Sequence, residues 1–126
     1  MNNISPEERK NALTVISATI SNCEKMQPKF DVGTSQSSLL RNRIKALEIS
    51  KCLIADDGGI ETYTRDELER ALPPVISIIH KTEKAQSKYE ESSTQHRRLM
   101  PVINAMHISK VLIEEELSKR ISEIRT

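Results

Sequence analysis

The residues best placed to do chemistry in this chain are polar groups that recur at a fixed distance. Gln27 and Gln36 reappear as Gln86 and Gln95, Lys51 as Lys110, and Glu8 as Glu67, each 59 positions further on. In a hairpin turning near residues 31–32, Gln27 faces Gln36, and Gln86 faces Gln95 in the second copy. Such amide pairs pin register, as a buried polar residue does in a coiled coil, or else line a polar ligand pocket. Lys51 and Lys110 fall on an otherwise apolar face. An unpaired buried ammonium is costly, so each must reach solvent or find a carboxylate, and Glu8 and Glu67 are the expected partners. All eight read as structural polar pairs. A catalytic lysine needs other polar groups converging on it, and the sequence names none.

The remaining reactive side chains form no constellation. Cys23 and Cys52 have no metal-ligand spacing, and the hairpin register sets them against residues near Leu40 and Asn11, so both are expected as free thiols. A di-iron helical bundle uses Glu-x-x-His, whereas the nearest spacing here is the reversed His80-x-x-Glu83. His96 and His107 align with Ser37 and Glu48 in the other copy, so the histidines are not a repeated set. No serine is tied to an oriented base, and Gly58-Gly59 is not followed by the Lys-Ser/Thr of a phosphate loop. No catalytic, cofactor or metal site is assigned.

Charge is distributed more informatively than it is totalled. The chain holds 19 basic and 18 acidic residues, so global charge favours neither nucleic acid nor an acidic substrate. Residues 20–47 and 79–106, the halves nearest the hairpin tips, hold ten basic and five acidic side chains, a net +5, leaving −4 elsewhere. Arg41, Arg43, Lys45, Arg97 and Arg98 make these tips a candidate docking surface. The plainer reading is a solvated helix surface.

These groups must be positioned by elements that the repeat itself defines. Residues 5–54 slide onto 64–113 without a gap, with 17 identities in 50 positions, most densely at ALEISKCLI against AMHISKVLI. Aromatics are confined to Phe30, Tyr63 and Tyr89, and no stretch alternates in polarity, which points to the all-α class. Ser5-Pro6-Glu7-Glu8 and Thr64-Arg65-Asp66-Glu67 each read as a capping box. Leu13, Ile16, Ile20, Cys23, Gln27 and Phe30 form a narrow seam on the first helix, copied as Leu72, Val75, Ile79, Thr82, Gln86 and Tyr89 on the third. Leu40, Ile44, Leu47 and Ile54 face inward on the second helix, echoed by Leu99, Ile103, Met106 and Ile113 on the fourth.

A single αα-hairpin exposes too much apolar surface to stand alone. The expected fold is therefore one domain over residues 1–126, an antiparallel four-helix bundle made of two tandem hairpins. Repeat 5–54, linker 55–63, repeat 64–113 and a helical extension 114–126 follow in order. Asp31-Val32-Gly33-Thr34 breaks the first hairpin, and Glu90-Glu91-Ser92-Ser93 is its less obvious counterpart. Pro73-Pro74 is expected to leave a short helix over 65–72 with a kink or restart, and Pro101 to bend the fourth helix or mark its true start, with 94–100 as a separate turn. Leu117, Ile121 and Ile124 form an extra apolar stripe. It covers the linker near Ile60 and Tyr63, covers the N-terminal Ile4, or pairs with a second subunit.

No apolar run is long enough to span a membrane, no secretory leader is evident, and the two cysteines suit a reducing compartment, so the expected location is cytoplasmic. The leading expectation for function is a non-enzymatic protein-interaction or scaffold module that binds a protein partner or its own copy. A small-ligand or metal-binding bundle is the alternative. Docking of nucleic acid or an acidic partner through the basic tips is third.

Overall fold

The computed structural model describes residues 4–125, with side chains described through Ile121. Four helices account for most of it: α1 (Pro6–Met26), α2 (Ser35–Ala55), α3 (Arg65–Gln86) and α4 (Thr94–Arg125), with no strand among the described residues. Short 3-10 turns, Gln27–Lys29 and Gly59–Thr62, follow α1 and precede α3. The starts of α1 and α3 lie 59 residues apart, as do those of α2 and α4.

Both odd-numbered helices begin with reciprocal capping. The Glu8 amide donates to Ser5 Oγ at 3.1 Å and the Ser5 amide to Glu8 Oε1 at 3.2 Å. On α3 the same pair of bonds joins Glu67 and Thr64, at 3.1 and 2.8 Å. Each box satisfies two amides that the first turn would otherwise leave unpaired, and its carboxylate sits at the positive end of the helix. The even-numbered helices start on a hydroxyl too: Thr34 Oγ1 accepts from the Ser37 amide, and Ser93 Oγ from the His96 amide.

The α-helical part of α1 ends earlier than the seam to Phe30 implies. Pro28 has no amide to donate, and the chain tightens into the 3-10 turn before Phe30. Residues 87–93 do break the second hairpin, without glycine or proline, because the Ser87 and Ser93 hydroxyls bond to local carbonyls at 2.7 Å.

The prolines do not interrupt the later helices. α3 is continuous through Pro73-Pro74 and α4 through Pro101, contrary to the expected short helix over 65–72 and restart. The carbonyls that lose a donor belong to Glu69, Arg70 and Arg97, all exposed residues that water can satisfy.

The core forms from the expected faces. Ile16, Leu47, Val75, Met106 and Ile113 are completely shielded from solvent, and Leu40, Ile44, Ile54, Ile79 and Ile103 are buried with them. Each such side chain contributes about 1.5–3 kcal/mol on leaving water. The packing is asymmetric in a way the hairpin scheme omits. Helices α2 and α4 touch one another as well as their neighbours, while α1 and α3 make no contact among the described residues. Both even-numbered helices bury small residues: Ala46, Ser50, Ala105 and Ser109 are at 1% exposure or less. The two serine hydroxyls donate to the carbonyls of Ala46 and Ala105 at 2.8 and 2.9 Å, so neither is left unpaired.

Candidate functional site

The diagonal contact of α2 with α4 leaves a groove on each side of the bundle. The first lies between α2 and α3, with a volume of about 570 Å³. Ala46, Ile49, Ala71, Pro73 and Pro74 supply its apolar lining, and Arg43, Lys45, Arg70 and Lys81 its cations. Lys45 on α2 reaches across to Glu67 on α3 at 2.5 Å. That hydrogen bond, followed by the one from the Thr64 amide, pulls the Glu67 carboxyl down to about 2. Arg70 is held by Asp66 one turn away at 3.1 Å. Arg43 and Lys81 have no ion-pair partner among the described residues, so their charge is available to a ligand.

The second groove, between α1 and α4, has a volume of about 680 Å³ and is lined by residues such as Ala12, Val15, Ala105 and Ile108. Its polar lining is Glu8, Asn11, Thr14, Asn104 and His107, with no lysine or arginine. No protein family, curated protein or solved structure matches this chain. The geometry alone therefore carries the functional reading.

The polar pairs expected from the repeat rearrange. Gln86 donates to the His96 carbonyl at 3.1 Å, with the His96 ring nitrogen at 3.4 Å, instead of meeting Gln95. Gln95, Gln27 and Gln36 are exposed, because the first α-helix stops before Gln27 and the second starts just before Gln36. Glu8 is engaged in its capping box, and Lys51 points to solvent. Glu67 pairs with Lys45, not with Lys110, which is half-buried. Tyr89 is 44% exposed, whereas its counterpart Phe30 packs against the core.

Both cysteines are free. Burial pushes the Cys23 thiol up, and burial followed by the nearby Asp57 carboxylate does the same to Cys52. Neither is poised as a nucleophile, since the thiolate is the reactive form. Among the described residues, no group of three His, Cys, Asp or Glu side chains could hold a metal ion. No helix there is long and apolar enough to cross a membrane.

Of the basic tip residues, Arg41, Arg97 and Arg98 are exposed, while Arg43 and Lys45 line the first groove. The described part of the α4 extension contacts its own chain. Leu117 packs against the core, Ile121 is half-buried, and Ile124 lies outside the described side chains. The decisive residue of this segment is Arg120, which the apolar pattern did not single out. Its guanidinium donates to the carbonyls of Tyr63 and Ile60 and to Glu116 Oε2, the last two at 2.8 and 3.0 Å. Arg120 thus fastens the linker to α4. Arg9 does similar work on α1, donating to the Ile54 carbonyl at 2.8 Å near the end of α2. The i, i+4 spacing of Glu116 and Arg120 was the available sequence signal.

Proposed function

We propose that the protein is a non-enzymatic interaction module, built by tandem duplication of a helical hairpin, that docks a helical segment of a partner protein between α2 and α3. The observation that carries this reading is the α2/α3 groove, with its apolar lining and its cations. Between Leu39 and Ile49 the α2 wall spans ten residues, about 15 Å or nearly three helical turns. Alanine, serine and proline on the walls let another helix approach closely, and helix-in-groove docking is a common way to read an amphipathic partner. A bend of α3 at Pro73-Pro74 fits the same reading, since it would widen the space beside α2.

The 59-residue spacing of the helix starts and the paired capping boxes support the duplication. The test uses three amphipathic peptides of about 16 residues, sharing one apolar face and carrying Glu, Gln or Lys on the other. Titrated into isotopically labelled protein, at least one should shift the amide resonances of Ala46, Ile49, Ala71 and Ser77. No shift with any of the three at about 1 mM, the weak end of specific binding, overturns the proposal.

A further inference from the structure

The two grooves occupy equivalent places in the repeat. Glu67, Arg70, Ala71, Pro73 and Pro74 line the first, and Glu8, Asn11, Ala12, Thr14 and Val15, each 59 residues earlier, line the second. The α2 wall matches as well: Asn42, Lys45, Ala46 and Ile49 correspond to Pro101, Asn104, Ala105 and Ile108. Three apolar positions are kept in kind, Ala46 as Ala105, Ala71 as Ala12 and Ile49 as Ile108, whereas Pro74 becomes Val15, Pro73 becomes Thr14 and Leu39 becomes Arg98. The cations are not kept. Arg43, Lys45, Arg70 and Lys81 stand where the other copy has Val102, Asn104, Asn11 and Asn22. The cation placed the other way, Arg98 in place of Leu39, does not line the second groove.

We infer that the α2/α3 groove selects an acidic amphipathic helix, and that its α1/α4 counterpart, which lacks the cations, does not. This rests on the groove reading above and adds the charge of the partner and the choice between grooves. The shared Ala46/Ala105, Ala71/Ala12 and Ile49/Ile108 floor offers an amphipathic helix apolar contact in both grooves. The charge difference lies in the four cations, of which Lys45 and Arg70 are partly neutralised by Glu67 and Asp66. Arg43 and Lys81 are left to meet carboxylates flanking the partner's apolar face. Exposed complementary charges act mainly on specificity and association rate, so selectivity should be strong at low salt and fade as salt screens it.

The experiment measures binding of the Glu, Gln and Lys peptides by fluorescence anisotropy at pH 7.5. The Glu peptide should bind about tenfold more tightly than the Gln peptide at low salt, at one site per chain. Arg43→Glu/Lys81→Glu should abolish that preference while leaving the helical signal and urea midpoint near wild type. Asn11→Arg/Asn22→Lys/Val102→Arg/Asn104→Lys installs the counterparts of all four cations in and beside the second groove, three at exposed positions and one at half-buried Val102, so it should raise the stoichiometry from one to two. A Gln peptide that binds as tightly as the Glu peptide overturns the charge assignment and leaves the groove reading standing. So does a preference that survives Arg43→Glu/Lys81→Glu. A quadruple variant that folds and still binds one peptide overturns charge as the basis of the choice between grooves. Silence from all three peptides overturns the groove reading itself.

Discussion

Replacing Arg120 with alanine isolates the clamp that ties the linker to the fourth helix. The guanidinium is 17% exposed and its partner Glu116 14%, so the pair is mostly, though not fully, withdrawn from water. Removing one partner of a fully buried, hydrogen-bonded ion pair costs about 3–5 kcal/mol, because the other charge is left unpaired. Here water can reach part of the site, which lowers that figure. Against this, the carbonyls of Ile60 and Tyr63 also lose their donor, at about 1 kcal/mol each. The expected net loss is about 2–4 kcal/mol, or roughly 10 °C in melting temperature for a domain of this size. Urea unfolding followed by circular dichroism measures it, with Arg70→Ala as the reference. That exposed i, i+4 pair, with Arg70 at 81% and Asp66 at 66%, should cost no more than about 0.5 kcal/mol. Arg120→Lys should recover little, since an ammonium cannot span two carbonyls and a carboxylate as a planar fork does. Arg120→Ala within about 0.5 kcal/mol of Arg70→Ala would refute the clamp, because burial of the ion pair and the two carbonyl hydrogen bonds are what separate them.

Two further perturbations probe the crossing of α2 with α4 and the groove mouth. Ser50→Ala should be tolerated within about 1 kcal/mol, because its hydroxyl bonds only to a carbonyl of its own helix, whereas Ser50→Leu should cost about 1–3 kcal/mol or more by forcing α2 from α4. Equal urea midpoints for the two variants would contradict the close approach. The depressed Glu67 carboxyl gives stability that is complete above its ordinary value of 4.5 and is lost as pH falls toward about 2. Glu67→Gln should therefore flatten the acid side of the stability profile between those values, and an unchanged profile would show that Lys45 and the Thr64 cap do not act on it.

Much of the architecture was legible because it depends on local pattern. The hydroxyl–glutamate spacing at Ser5 and Thr64 specified helix starts, and the apolar stripes of α2 and α4 chose the buried faces. The prolines misled for a physical reason. Local chemistry says that Pro73 and Pro74 remove donors, but only the packed structure shows that the orphaned carbonyls of Glu69 and Arg70 lie on exposed residues. The glutamine pairs failed by small displacements: with Pro28 ending α1 early, the facing rule no longer held at the tip, and Gln86 settled on His96.

By itself the sequence determined the all-α class, the helix caps and most of the core, since each follows from the spacing of residues along one helix. Tertiary structure decided which helices meet. Helices α2 and α4 meet, and grooves lie between α2 and α3 and between α1 and α4. Only then do Arg43, Lys45, Arg70 and Lys81, scattered over 38 positions from first to last, become one charged rim. Their grouping is set by the crossing of helices, and no periodicity within a helix encodes it.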